Sequence, residues 1–110
     1  MREHKYILSE DGETPIPCSD TVAWGQWMND PAKRVVSQER VGRHWISTVF
    51  LGLDHSFSER EPPILWETMV FNKESENPWE DIDCRRYSDH ESACRGHNEL
   101  VAEYRAKQDD

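Results

Sequence analysis

The segment from His44 to Leu53 constrains the fold more than any other part of the chain. In an extended backbone, Trp45, Val49, Leu51 and Leu53 point one way with Ser47, and Ile46, Phe50 and Gly52 point the other way with Thr48. Both faces are largely apolar. A strand of this kind is central and covered on both sides, or it lies in an oligomer interface. Ile64 to Phe71 repeats the pattern, with Ile64, Trp66, Thr68 and Val70 on one face and Leu65, Glu67, Met69 and Phe71 on the other. The two are expected to pair as an antiparallel hairpin across the polar connection from Asp54 to Pro63.

The remaining elements fit around that hairpin. Lys5 to Leu8 reads as a short strand, with Asp11-Gly12 as a turn and Pro15-Ile16-Pro17 extended. Ser19-Asp20 supplies an N-cap for a helix carrying Val22, Ala23, Trp24, Trp27 and Met28, which Asn29-Asp30-Pro31 ends. So short a helix must be held by packing its tryptophan face. Arg34 to Ser37 reads as a strand and Val41-Gly42-Arg43 as a turn. Residues 72–84 are acidic and expected to form a surface loop. Ser88 and Glu91 form a capping box for a second helix, whose inner stripe is Ala93, Gly96, His97, Leu100, Val101 and Tyr104. Residues 106–110 are expected to fray. The order β-α-β-β-β-α predicts a small single α+β domain over residues 1–110, with two helices packed against an antiparallel sheet.

Charge narrows the function classes. The 110 residues hold 22 acidic and 13 basic side chains, a net charge of −9. Duplex nucleic acid requires clustered Lys and Arg, so direct nucleic-acid binding is not expected. No apolar run is long enough to span a membrane, and the opening residues carry no apolar signal core. The odd cysteine count, Cys18, Cys84 and Cys94, suits a reducing cytoplasm. His90, Cys94 and His97 fall at i, i+4 and i+7 with Cys84 upstream, which are zinc-ligand types, but the spacing matches no standard finger. No metal and no cofactor is expected.

Several polar residues interrupt apolar segments. Ser47 and Thr48 can hydrogen-bond across the sheet. Glu67 sits mid-strand, so it is exposed on an uncovered patch or paired, with Arg86 and His97 as candidate partners. A structural salt bridge and a ligand contact both remain open for it. Asp54-His55 could do acid–base work, yet adjacent strand residues point to opposite faces and Asp at a strand end often caps a turn. Arg85-Arg86 could hold a phosphate or carboxylate, or simply neutralise the acidic loop. No phosphate-binding or nucleophile-elbow motif occurs.

Two blocks carry a resemblance. Ser47-Thr48-Val49-Phe50-Leu51-Gly52-Leu53-Asp54-His55 and Pro62-Pro63-Ile64-Leu65-Trp66-Glu67-Thr68-Met69-Val70-Phe71 resemble segments of a family of small uncharacterised proteins from tailed bacteriophages. Arg86-Tyr87-Ser88 and Gly96-His97 are similar to that family's later helix start and Gly-His pair. The likeness covers roughly residues 15 to 101. This chain lacks the family's Gly-rich linker at Ser56 to Glu61, and His90 stands where the family has Trp. The resemblance implies an accessory phage product acting in the host cytoplasm.

Three functions follow as expectations. The first is a non-enzymatic protein that binds and inhibits a host defence or regulatory factor, in the manner of an anti-CRISPR. Its acidic residues Glu74, Glu76, Trp79's neighbours Glu80 and Asp81, and Asp83, with Trp79 itself, would dock on a basic protein groove. The second is a sponge for a small signalling nucleotide, lined by Thr48, Asp54, His55, Glu67, Arg86, Tyr87 and His97, with an oligomer such as a homodimer deepening the pocket. The third is a small hydrolase using Asp54, His55 and Glu67; no catalytic residue is assigned.

Overall fold

The computed structural model describes residues 2–108. A small antiparallel hairpin opens the chain, β1 (Tyr6–Leu8) with β2 (Pro15–Pro17). Its turn is tied by Asp11, whose carboxylate accepts from Ser9 Oγ, Glu13 N and Thr14 N. These bonds hold the Asp11 carboxyl well below the usual range. Helix α1 (Thr21–Met28) begins where Asp20 accepts from Val22 N and Ala23 N, and a single turn, α2 (Pro31–Arg34), follows with Asp30 as cap and Pro31 at its start. Four strands then run in chain order: β3 (Val35–Val41), β4 (His44–Phe50), β5 (Trp66–Asn72) and β6 (Asp81–Tyr87). Each pairs antiparallel with the next, and α3 (His90–Gln108) lies across one face. The protein is an α+β domain with two more strands, β2 and β6, and one more helical turn, α2, than the sequence pattern indicates.

The central hairpin is as its periodicity requires. Ile46 faces Val70, Thr48 faces Thr68 and Phe50 faces Trp66 across β4 and β5. The strands themselves are shorter at the open end than the pattern predicts, since β4 stops at Phe50 rather than Leu53 and β5 starts at Trp66 rather than Ile64. The other corrections fall at the sheet's edges. Residues 72–84 are not one loop: β5 runs to Asn72, and β6 begins at Asp81. Likewise β3 continues past Ser37 through Gln38, Glu39 and Arg40 to Val41. Both are edge strands, where charged side chains cost little and discourage further pairing, so no apolar alternation marks them. The α3 cap is Asp89, which accepts from Ser92 N at 2.7 Å, rather than Ser88. The helix holds through Gln108, so residues 106–108 are ordered as helix; residues 109 and 110 lie outside the described residues.

The stripe Ala93, Gly96, His97, Leu100, Val101 and Tyr104 is buried against the sheet. It divides the core in two. Tyr6, Leu8, Phe50, Leu65, Trp66 and Ala93 form one apolar cluster, edged by Trp27, Val36 and Tyr87. Val41, Ile46, Val70, Leu100, Val101 and Tyr104 form the other. Between them lies a polar layer of Thr48, Thr68 and His97, all fully buried. Helix α1 closes the first cluster: Trp24 Nε1 donates to Gly52 O at 3.0 Å, and Trp27 meets Phe50 edge-on at 5.7 Å. The opposite sheet face, with Trp45, Ser47, Val49, Met69 and Phe71 at its centre, carries no helix among the described residues. These side chains are half-buried by one another.

Gly96 lets α3 approach this closely. A Cβ there would sit inside the contact radius of the Tyr87 ring. Gly96→Ala is therefore expected to lower stability by about 1–2 kcal/mol, since overpacking outweighs the ~1 kcal/mol helix gain of Ala. In a Tyr87→Ala background the same change is expected to stabilise. Chemical denaturation of the four chains of this cycle checks the reversal of sign.

Candidate functional site

The sequence-selected residues gather in four places. Thr48, Tyr87 and His97 meet beneath α3. Glu67 and Arg86 meet on the other sheet face. Asp54 and His55 lie in the long β4–β5 connection, and Glu74, Glu76, Trp79 and Glu80 form the β5–β6 turn. The first set cannot join the second in one pocket, because the sheet separates them.

Beneath α3 the polar layer forms one directional chain. A carboxylate only accepts, so His97 Nε2 donates to Glu39 Oε1 at 3.2 Å. Nδ1 then accepts from the Thr48 hydroxyl at 2.6 Å. Thr48 Oγ1 accepts from Thr68 at 2.5 Å, and Thr68 Oγ1 accepts from Tyr87 OH at 3.1 Å. Arg105 reaches Glu39 Oε2 at 3.3 Å from outside. Every member is satisfied by this one arrangement. His97 is 1% exposed, so its ring nitrogens meet no solute. Burial pushes the Tyr87 hydroxyl up, against a smaller lowering from Thr68. The chain positions the helix on the sheet; it presents no group to a substrate. Thr68 and Glu39 were not singled out in the sequence, although Thr68 shares its strand face with Trp66 and Val70.

On the uncovered face, Arg86 Nε donates to Glu67 Oε2 at 2.9 Å. Glu67 is 5% exposed, and this bond raises Arg86 further. The two are directly opposite in the β5–β6 register, so of the two candidate partners Arg86 takes Glu67 and His97 does not. Neighbouring Arg85 points the other way, to Glu99 at 3.5 Å and Glu103 at 3.1 Å on α3. The arginine pair therefore neutralises β5 and α3 rather than the acidic turn. Cys84 shares the open face; burial and then Glu67 raise its thiol. With Cys84 there and His97 turned to Thr48, only His90 and Cys94 of the possible ligand group remain neighbours, at 3.7 Å. No group of three His, Cys, Asp or Glu side chains among the described residues is placed to hold a metal ion.

Asp54 is a structural anchor. Its side chain is 1% exposed and accepts from Arg2 Nη2 at 2.9 Å, Ser56 N at 2.8 Å and Ile64 N at 3.0 Å. No hydrogen bond joins it to His55 among the described residues, so the pair is not a dyad. Burial pushes the carboxyl up, but the bonds from Ser56, Ile64 and Arg2 outweigh it and hold the group at about 2. A depressed carboxyl stabilises the fold fully above its unfolded value near ~4, and that contribution is lost as pH falls through the folded value. Asp54→Asn is expected to cost about 1–2 kcal/mol at neutral pH, after allowance for solvent screening, and almost nothing near pH 2. Urea unfolding across that pH range, wild type against variant, checks it.

The acidic turn is built differently. Glu74, Glu76 and Glu80 are exposed, and none makes an ion pair with a described residue. Trp79 is 76% exposed. It is held from one side by Lys73, whose Nζ lies 3.2 Å from the ring centroid, and it stands edge-on to Phe71 at 6.5 Å. Asp81 opens β6 and stays exposed. Asp83 leaves the group: it turns under α3, where Tyr104 OH donates to its Oδ2 at 3.4 Å. Lys73 is the one basic residue of residues 72–80, and no sequence pattern marks it as the partner of Trp79.

No family model matches the chain, and no curated protein or solved structure matches it. No helix among the described residues is long and apolar enough to cross a membrane.

Proposed function

We propose that this protein is a non-enzymatic binding protein, a phage accessory product that blocks a host defence or regulatory factor in the host cytoplasm. One observation carries the reading: a tryptophan packed against Lys73 yet open to solvent, in a turn whose carboxylates have no cationic partners among the described residues. A large exposed aromatic is the usual anchor of a protein interface, and Lys73 fixes its orientation before any partner arrives. Uncompensated acids around it steer association with a basic surface, such as a groove that otherwise holds nucleic acid. The phage setting rests on the two sequence blocks and the Arg-Tyr-Ser and Gly-His pairs described above. A hydrolase gains no support from Asp54, His55 and Glu67, because Glu67 lies within β5 rather than beside the other two, and Asp54 and Glu67 are tied in ion pairs.

The test is a pull-down from bacterial lysate with the wild-type chain and with Glu74, Glu76, Glu80 and Asp81 changed to their amides, each at low and high salt. A protein retained by wild type, released by salt and missed by the amide variant is the expected result. Retention that ignores both salt and the amide changes overturns the reading.

A further inference from the structure

A second surface departs from the acidic character of the rest. Arg43 in the β3–β4 turn, His44 at the start of β4 and Lys107 in the last turn of α3 converge on one cleft of about 610 Å³. Three separate elements supply them, and the turn makes the convergence possible. Gly42 takes the left-handed φ of +60° that this tight turn needs, and the flexible end of the Gln108 side chain lies over it. The helix dipole accounts for Lys107 at a C-terminus. It does not account for Arg43 or His44. Arg43 makes no side-chain hydrogen bond or ion pair with a described residue. Lys107 shares only the exposed Glu103, at 3.6 Å, and lies over the Tyr104 ring. His44 packs against Tyr104 with ring centroids 4.6 Å apart and planes tilted by 58°, which holds its ring at the cleft wall.

We propose that this cleft binds a small phosphorylated molecule of about mononucleotide size through Arg43, His44 and Lys107. Two convergent cations, Arg43 and Lys107, with the His44 imidazole beside them as a hydrogen-bond donor, suit a phosphate dianion better than a monoanionic carboxylate, and a guanidinium fork matches phosphate oxygens. The volume lies within the ~300–1,000 Å³ of ordinary small-molecule sites and exceeds what bare phosphate fills. Ile82, 53% exposed, offers apolar contact, and Glu74, also in the lining, can accept an N–H or O–H from the ligand. Electrostatics agree with this placement. Burial lowers the His44 imidazole, and the charges of Arg43 and Lys107 lower it further. The other groups facing it are Tyr104, Glu74 and, behind Tyr104, Asp83. A bound phosphate places negative charge against the ring and raises it again.

The experiment is an NMR titration of the isotopically labelled full chain with adenosine monophosphate, orthophosphate and adenosine. The monophosphate is expected to give saturable shifts at Gly42 to His44 and Tyr104 to Lys107, orthophosphate a weaker response at the same residues, and adenosine none. The His44 titration midpoint is expected to rise by roughly half a unit or more in the monophosphate complex. Arg43→Gln with Lys107→Met, both at exposed positions, is expected to weaken binding by about tenfold or more while the rest of the spectrum stays unchanged. No saturable shift with either phosphate, equal response to adenosine, equal affinity for orthophosphate and monophosphate, or undiminished binding by the double variant overturns the proposal.

Discussion

His97→Ala is expected to lower folding stability by about 3–5 kcal/mol, which for a domain of this size removes much of the total. The ring fills the layer between two apolar clusters, so its loss leaves a cavity. It also strands the Thr48 hydroxyl and one oxygen of Glu39. Arg105 still serves the other oxygen, so the penalty falls mainly on the buried threonine. Because the chain is directional, the loss propagates: Thr48, Thr68 and Tyr87 each donate to the next member. The discriminating variant removes the whole chain at once, with Thr48→Val, Thr68→Val, His97→Leu and Tyr87→Phe. Taking away all partners together leaves few groups unsatisfied, so the fourfold variant is expected to be more stable than His97→Ala alone. Urea midpoints of both chains decide the matter. If the fourfold variant is the less stable of the two, the members act independently and the directional chain is wrong.

That layer also explains what the sequence could and could not disclose. The α3 stripe was legible because a helix facing a core must repeat near every 3.6 residues, and all six of its positions are buried. The central hairpin was legible because β4 and β5 carry apolar residues on both faces. The edge strands were not, since β6 alternates Asp83, Arg85 and Tyr87 against Cys84 and Arg86, a pattern that depends on partners from α3 and β5. Without that strand nothing in the sequence places Arg86 opposite Glu67, and His97 remained an equal candidate. Asp54 shows the same limit at longer range. Its partner Arg2 lies in the opening residues, and no periodicity connects positions so far apart in the chain.

Trp79→Ala is expected to weaken the captured complex by about thirtyfold or more, near 2 kcal/mol, with the loss mostly in dissociation rate. Amide changes at Glu74, Glu76, Glu80 and Asp81 should act on the other side of the kinetics, slowing association and flattening its salt dependence. The contrast follows from geometry. Trp79 presents the ring area left open by Lys73, so it fills a pocket once docked. The carboxylates stand in water with no fixed partner, so they act over distance. Lys73→Met provides the intermediate case, because it keeps the tryptophan but frees its orientation, and it should cost less than Trp79→Ala. None of these changes removes a buried contact, so each chain should unfold within about 0.5 kcal/mol of wild type. Binding kinetics on an immobilised partner, read at several salt concentrations, separate the two effects. A Trp79→Ala chain that dissociates as slowly as wild type would place the interface elsewhere on the molecule.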